Sequence, residues 1–520
     1  MTKRFRLVAQ GMWLRVESGY NSMFGEAWNP FHHLGTLTFF LFWVIAASGL
    51  YLYIFFDTGV QDAYNSVESL THDQWYLGGV LRSVHRYASD AMVLTAVLHM
   101  LRQFVMDRFR GFRWFSWLSG IPLLWLMYAS GIGGYWLVWD QMAQFLAIAT
   151  AEWLDWLPIF SEPLVRNFLN QGAVNDRFFT LLAFLHIGIP LILLLFMWVH
   201  IQRITSAKTN PPLRLGVGVV LAIIVLSLIK PALSQPQANL DTVVTEISLD
   251  WFYLALYPLI YSGSPGKVWA LVGGATALLM ALPWLFYKKP VPVAEVHPAN
   301  CNGCRRCFDD CPYSAVTMTS HPDKPGHQLA VVNADLCASC GICAGACPSS
   351  TPFRSAAELV TGIDMPQATV HTLRAATEAS LEKLKGEVRL VVYGCDHAAD
   401  VRALAAPDVA VHSMECIGML PPSFVDYVLR SGADGVLVTG CPGSDCHYRL
   451  GSVWTEQRFH GEREPHLRTR VARERVQVFM AGRRDQDKLR RELDIYREIL
   501  RNLPKTDDEA PPPRRARSKV

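Results

Sequence analysis

Four histidines, in two long apolar stretches, recur at one interval. His85 and His99 lie in LRSVHRYASDAMVLTAVLHML, His186 and His200 in FFTLLAFLHIGIPLILLLFMWVH, and the members of each pair are fourteen residues apart. Fourteen helical steps turn through about 1400°, within about 40° of four whole turns, so both imidazoles of a pair face one way. Along the axis they are about 21 Å apart, two depths in a hydrocarbon layer about 30 Å thick. Two such helices side by side offer two levels with two imidazoles each, a ligand set for two six-coordinate haems. A single intramembrane histidine could simply be a polar residue satisfied by a neighbouring helix. Two pairs with one interval point to ligation.

All twelve cysteines lie after residue 300. CNGCRRCFDDCP at 301–312 and CASCGICAGACP at 337–348 repeat the pattern C-x2-C-x2-C-x3-C-P, the run that holds two 4Fe–4S clusters. The fourth cysteine of each run serves the other cluster. One set is therefore Cys301, Cys304, Cys307 and Cys347, and the other is Cys337, Cys340, Cys343 and Cys311. Cys395, Cys416, Cys441 and Cys446 remain, a complete thiolate set for one 2Fe–2S cluster, with zinc or a redox dithiol pair as the alternatives. No CxxCH occurs, so covalently attached haem is not expected.

The elements that must position these groups follow from hydropathy. Of 520 residues, 51% are hydrophobic, too many for a wholly soluble chain. Apolar runs near 34–56, 84–106, 116–138, 178–202, 213–233 and 266–287 are each long enough to span a bilayer. The basic opening MTKRFRLVAQGMWLR does not read as a cleavable signal peptide. Lys3, Arg4, Arg6, Arg15, Arg102, Arg108, Arg110, Arg113, Arg203, Lys208, Arg214, Lys288 and Lys289 flank the runs on one side. The opposite connection DTGVQDAYNSVESLTHDQWYLGG has neither Lys nor Arg. Positive charge marks the cytoplasmic side, which places the N-terminus and all cysteines there, where disulfides are rare and clustered thiols read as metal ligands. The net charge of +3, without a basic–aromatic pattern, excludes nucleic acid as an expected partner. Further on, VRLVVYGC reads as a buried strand, SFVDYVLRSGA as a helix and DGVLVTGC as a second strand, a small parallel α/β unit. RRDQDKLRRELDIYREILRNL reads as a basic helix, and PPPRRARSKV is too polar to fold alone.

Glycines repeat the histidine interval: Gly35 and Gly49 in the first run, Gly120 and Gly134 in the third. A residue without a side chain lets a flat macrocycle lie against a helix, although small residues also serve ordinary helix packing. With these glycines, the paired histidines, Arg82, GYWLVWDQM at 134–142 and RFFTLLAFLH at 177–186, residues 20–290 resemble cytochrome b of the cytochrome bc complexes. The resemblance implies that His85 and His186 hold an outer haem b, that His99 and His200 hold an inner one, and that Arg82 meets a haem propionate. Leu249-Asp250-Trp251-Phe252-Tyr253 occupies the place of the family's Pro-Glu-Trp-Tyr segment, which makes Asp250 a proton acceptor at an outer quinone site. The departures are Leu249 and Asp250 for proline and glutamate, and Asp140 where a glycine is common. A helix cap or loop acid is the plain alternative for Asp250.

YGCDHAA, ECIGMLPPSFVDYVLRSGADGVLV and TGCPGSDCHYRLG make residues 386–480 resemble the delta subunit of methyl-viologen-reducing hydrogenase. That resemblance implies a 2Fe–2S cluster and a flavoprotein neighbour. The expected fold is multidomain. A cytochrome b-like all-α transmembrane bundle of six spans takes 1–289, and an α+β ferredoxin-like domain takes 290–352. A helical connector at 353–385, a small α/β domain at 386–482 and a basic helix with a disordered tail at 483–520 complete it. The expected function is electron transfer between a cytoplasmic flavoprotein or dehydrogenase and membrane quinone, in a multi-pass protein of the bacterial inner membrane, with homodimerisation by family analogy. The competing reading is an anchor and electron conduit between protein partners, without its own quinone site. No phosphate-binding loop or dinucleotide fingerprint stands in the required context, so flavin and nucleotide are expected only in a partner.

Overall fold

The computed structural model describes residues 3–159, 163, 167, 169–170, 172–286, 291–354 and 358–504. Lys288, Lys289 and the PPPRRARSKV end lie outside the described residues. The chain divides into two compact units, Met1–Gln202 with Ala207–Lys288, and Arg203–Ser206 with Lys289–Val520.

The first unit is helical. Its helices are α1 (Lys3–Phe24), α2 (Leu34–Phe55), α3 (Asp62–His72), α4 (Val80–Val105), α5 (Trp114–Val138), α6 (Gln141–Asp155), α7 (Asp176–Ile201), α8 (Leu213–Ile229), α9 (Trp251–Leu254), α10 (Tyr257–Ser262) and α11 (Pro265–Leu285). Polar caps set several starts. Asn175 accepts from the N–H groups of Arg177 and Phe178 at 3.1 and 3.2 Å to open α7, and Ser264 precedes Pro265 to open α11. Among the described residues, four stretches are long and apolar enough to cross a membrane, by length and composition: Leu34–Phe55, Gly111–Val138, Asp176–Ile201 and Pro265–Leu285. The two other expected spans differ for physical reasons. Arg82, Arg86, Asp90 and Arg102 make α4 more polar than α2, α5, α7 and α11, and α8 has only 17 residues, a rise of about 26 Å. The helix α1, where the sequence reading placed only a basic lead-in, is a full element.

α2 packs along α4, and α5 along α7. Leu41, Phe42, Val84, Ala88, Met92, Met127, Leu193 and Ile223 form a core joining α2, α4, α5, α7 and α8. On the outside, Leu50, Ile54, Phe184, Leu191 and Trp198 are exposed, the arrangement of helices that meet hydrocarbon rather than water.

The second unit carries small sheets. β1 (Glu295–Val296) pairs antiparallel with β4 (Ile363–Asp364), and β2 (Val316–Ser320) with β3 (Gln328–Val332). Two one-turn helices, α12 (Arg306–Asp309) and α13 (Ile342–Ala346), follow the cysteine loops, and α14 (Val370–Leu381) lies in the connector. A four-stranded parallel sheet then has the order β6-β5-β7-β8, from β5 (Leu390–Cys395), β6 (Val409–Met414), β7 (Gly435–Val438) and β8 (Val476–Val478). β5 and β7 are buried throughout, as central parallel strands covered on both faces must be. The helices α15 (Pro422–Arg430) and α16 (Gly451–His460) join these strands, and α17 (Gln486–Arg501) returns to the sheet.

The sequence reading closes this domain at 482 and leaves the basic helix outside. In the structure Leu489, Leu493, Tyr496 and Leu500 of α17 lie in one core with Leu390, Val392, Val409 and Leu437. Their helical spacing makes one apolar stripe, and the arginines occupy the other faces.

Candidate redox centres

Each of the four glycines faces one of the four histidines. A Cβ built on Gly35 would stand 3.1 Å from His99 Cε1, on Gly49 2.8 Å from His85 Cε1, on Gly120 3.3 Å from His200 Cε1, and on Gly134 3.1 Å from His186 Cε1. α2 backs the two imidazoles of α4, and α5 backs the two of α7. The rings of His85 and His186 face each other with centroids 6.3 Å apart. Two metal–imidazole bonds of about 2 Å each, plus ring radii of roughly 1 Å, call for a separation of roughly 6 Å. His99 and His200 are close enough to interact electrostatically at the second level.

The Nδ1 atoms of His85, His186 and His200 are occupied. His85 Nδ1 lies 3.0 Å from the Ile45 carbonyl, and His186 Nδ1 3.0 Å from that of Ser130. Carbonyls only accept, so each Nδ1 carries the proton and each Nε2 presents a lone pair, the tautomer a metal requires. Ser119 donates its hydroxyl to the Phe115 carbonyl, which leaves its oxygen to accept from His200 Nδ1 at 3.0 Å. These residues fit an iron macrocycle.

A Gly49→Val protein is expected to lose the haem at the His85 level, because the branched side chain must displace the ring. Haem absorbance per protein should fall by about half. Gly188→Ala in α7, where a Cβ meets nothing within 4 Å, should leave it unchanged.

In the second unit the two ferredoxin runs adopt one backbone form, offset by thirty-six residues. Gly303 and Arg305 have φ 68° and 65°, and their counterparts Ser339 and Gly341 have 57° and 74°. These left-handed residues curl each C-x2-C-x2-C loop so that its sulfurs converge. Cys301, Cys304, Cys307 and Cys347 line one cavity, the crossed set expected from the pattern. Burial and the neighbouring Cys347, Cys304 and Cys301 push the Cys307 thiol up to about 12. At the other set, burial and then Cys340, Cys337 and Cys311 push Cys343 well above the usual thiol range. Sulfurs that repel one another as thiolates are a donor set that cations stabilise, and iron fits it.

The remaining four thiols gather at the carboxyl ends of the parallel strands. Cys395 ends β5, Cys416 follows β6, Cys441 follows β7 and Cys446 precedes α16. They are 2%, 1%, 4% and 7% exposed, with Cys395 and Cys441 Sγ 3.7 Å apart. Cys416 interacts electrostatically with both Cys446 and Cys441.

Comparison with known families matches three separate stretches of the chain. Residues 21–208 match the model "Cytochrome b/b6/petB", residues 300–351 match "4Fe-4S dicluster domain", and residues 391–504 match "Methyl-viologen-reducing hydrogenase, delta subunit". The chain is a fusion of these three parts. A cytochrome b part implies haem b, and a dicluster part implies 4Fe–4S clusters. With its apolar helices, the fusion is a membrane protein that carries electrons. A solved structure described as "Hyperthermophilic respiratory Complex III" is 21% identical, covering 49% of this chain and 75% of that chain, with a TM-score of 0.42.

Within the cytochrome b part, Arg82 is engaged by protein groups. It donates to Thr71 Oγ1 and, at 2.7 Å, to Ser234 Oγ, and lies 3.5 Å from Glu68 Oε1. Asp250 caps α9, accepting from the N–H groups of Phe252 and Tyr253 at 3.0 and 3.3 Å. Its other oxygen accepts from Tyr135 Oη at 2.6 Å and pairs with Arg86. Asp140 caps α6 through the Ala143 N–H at 2.9 Å and also accepts from Gln235 N–H at 2.9 Å. Arg86, Tyr135 and Gly131 escaped the sequence reading. A Cβ on Gly131 would stand 2.0 Å from Tyr253 Oη, so this glycine admits the Tyr253 ring, which stacks on Tyr128 at 5.5 Å. The signal for Arg86 was its place beside His85. Nothing in its spacing named Asp250 as its partner.

Proposed function

We propose that this chain is the membrane electron-transfer subunit of a quinone oxidoreductase. On this reading two b haems, two 4Fe–4S clusters and one 2Fe–2S cluster connect the quinone pool to a cytoplasmic flavoprotein or dehydrogenase. His85 with His186, and His99 with His200, are the haem ligands. The crossed ferredoxin sets hold the 4Fe–4S clusters, and Cys395, Cys416, Cys441 and Cys446 hold the 2Fe–2S cluster. α4 and α8 join the four long apolar helices as spans, and the positive flanks put the N-terminus and the iron–sulfur parts in the cytoplasm of a bacterial cell. Arg82 keeps its proposed place at a haem propionate, and a second copy of the chain is the proposed homodimer partner.

The observation that carries this reading is the opposed His85–His186 pair at 6.3 Å with a glycine behind each ring. Such a site accepts and releases single electrons and needs no displaceable ligand. The test is reduction of the purified, detergent-solubilised protein by a quinol analogue, followed by haem absorbance with and without a quinone-site inhibitor. Inhibitor-sensitive reduction is expected. Haems that respond to dithionite but not to quinol would overturn the quinone assignment.

One observation favours the second reading, a conduit without its own outer quinone site. The Asp250 carboxylate already caps a helix and holds Arg86 and Tyr135. A carboxylate whose oxygens already accept from a phenol and two backbone N–H groups and pair with a guanidinium is poorly placed to take a quinol proton. Haem reduction that Asp250→Asn leaves unchanged would support this reading.

A further inference from the structure

The second ferredoxin site packs against the C-terminal thiols. A Cβ built on Gly451 would stand 2.4 Å from Cys416 Sγ and 3.4 Å from Ile342 Cδ1, so Cys416 and the residue preceding Cys343 share one small volume. A Cβ on Gly418, two residues after Cys416, would stand 2.9 Å from Ile342 Cγ1. A Cβ on Gly345 would stand 2.1 Å from the Gly418 carbonyl oxygen. Backbone therefore meets backbone here, which only glycine permits. Cys340 is among the groups whose charge acts on Cys416.

One side chain fastens the junction. Arg458 of α16 is fully buried. It donates to the Gly418 carbonyl at 2.8 Å and pairs with Asp310, the neighbour of Cys311, which Arg463 also holds at 2.9 Å. A buried guanidinium with these partners ties the Cys416 loop to the Cys311 loop and places a positive charge between two thiolate sets.

We propose that the Cys395/Cys416/Cys441/Cys446 site exchanges electrons with the Cys311/Cys337/Cys340/Cys343 site and not with the Cys301/Cys304/Cys307/Cys347 site. The path runs across the junction of Ile342, Gly418 and Gly451, with Arg458 as its positioning residue. The proposal rests on the cluster assignment above. One electron moves, so iron at one site is oxidised and iron at the other is reduced. No bond forms or breaks and no proton is transferred. The Arg458 charge, close enough to Cys416 to interact with it, favours the electron on the Cys416 side, since net charge around a cluster sets its potential.

The test is potentiometric electron paramagnetic resonance on the full-length holoprotein. In the wild type, the signal of the C-terminal site is expected to broaden and relax faster once the neighbouring 4Fe–4S cluster becomes paramagnetic. Cys304→Ser, at the first site, should leave that interaction in place. Arg458→Met should weaken it and shift the electron away from the C-terminal site about tenfold, about 59 mV for a one-electron couple. Arg458→Met combined with Asp310→Asn strands no carboxylate and gives a folded protein for the same reading. An interaction lost in Cys304→Ser, or a potential and relaxation unmoved in both Arg458 variants, would overturn the proposal. A wild type with no C-terminal iron signal would overturn the cluster assignment and the proposal together.

Discussion

A His85→Leu protein is expected to hold one haem where the proposed wild-type complement is two. Leucine fills the space of the imidazole but offers no lone pair, which would leave His186 alone to hold a haem at that level. The other level lies about 21 Å away along the same helix, beyond the distance at which substitutions couple, so its haem should stay. His99→Leu should give the complementary protein, with a different residual spectrum. Pyridine haemochrome content per protein, halved in each single variant and near zero in the double variant, checks the expectation. The pairing across helices adds a sharper demand. His186→Leu must remove the same spectral component as His85→Leu, because those two rings face each other at 6.3 Å. If His186→Leu instead reproduced the His99→Leu spectrum, the two-level arrangement would be wrong.

The two histidine levels were legible because a fixed residue interval on a helix is a geometric statement. Fourteen residues return to the same face whatever surrounds them, and the glycines at the same interval had to lie opposite. The ferredoxin runs were legible for a related reason: cysteine spacing limits which sulfurs can share a cluster. The buried strands announced themselves as continuous apolar runs. What stayed hidden depended on contacts far apart in sequence. Arg86 and Tyr135 meet Asp250 across more than a hundred residues, and no periodicity reports such a meeting. Gly131 exists for the Tyr253 ring, another distant partner. For α17 the signal was present but outweighed. Leu489, Leu493, Tyr496 and Leu500 recur at helical spacing, yet arginines and acids dominate the composition of the segment. The apolar stripe, not the mean polarity, decided where the helix went.

Removing iron from the second unit is expected to unfold the ferredoxin part while leaving the parallel sheet intact. Residues 300–351 contribute one two-stranded sheet, β2 with β3, and two helices of four and five residues, α12 and α13. A segment of this size cannot bury enough apolar surface to offset its chain entropy, and burying unpaired thiols adds nothing favourable. Metal binding then becomes folding free energy, on the order of 10 kcal/mol by comparison with structural zinc sites. The parallel sheet stands on other ground. Its core of Leu390, Val392, Leu437, Leu489 and Tyr496 contains no thiol, and α17 closes it from the side. Hydrogen exchange on iron-depleted protein should show amides of 316–320 and 328–332 losing protection at least a thousandfold, roughly 4 kcal/mol, while those of 390–395 and 435–438 change little. Equal loss in both would mean that the thiol junction at Ile342, Gly418 and Gly451 supports the sheet as well as the wire. Retained protection in 316–332 would mean that the ferredoxin loops are held by their packing on Gly418 and Arg458 alone, with iron a passenger.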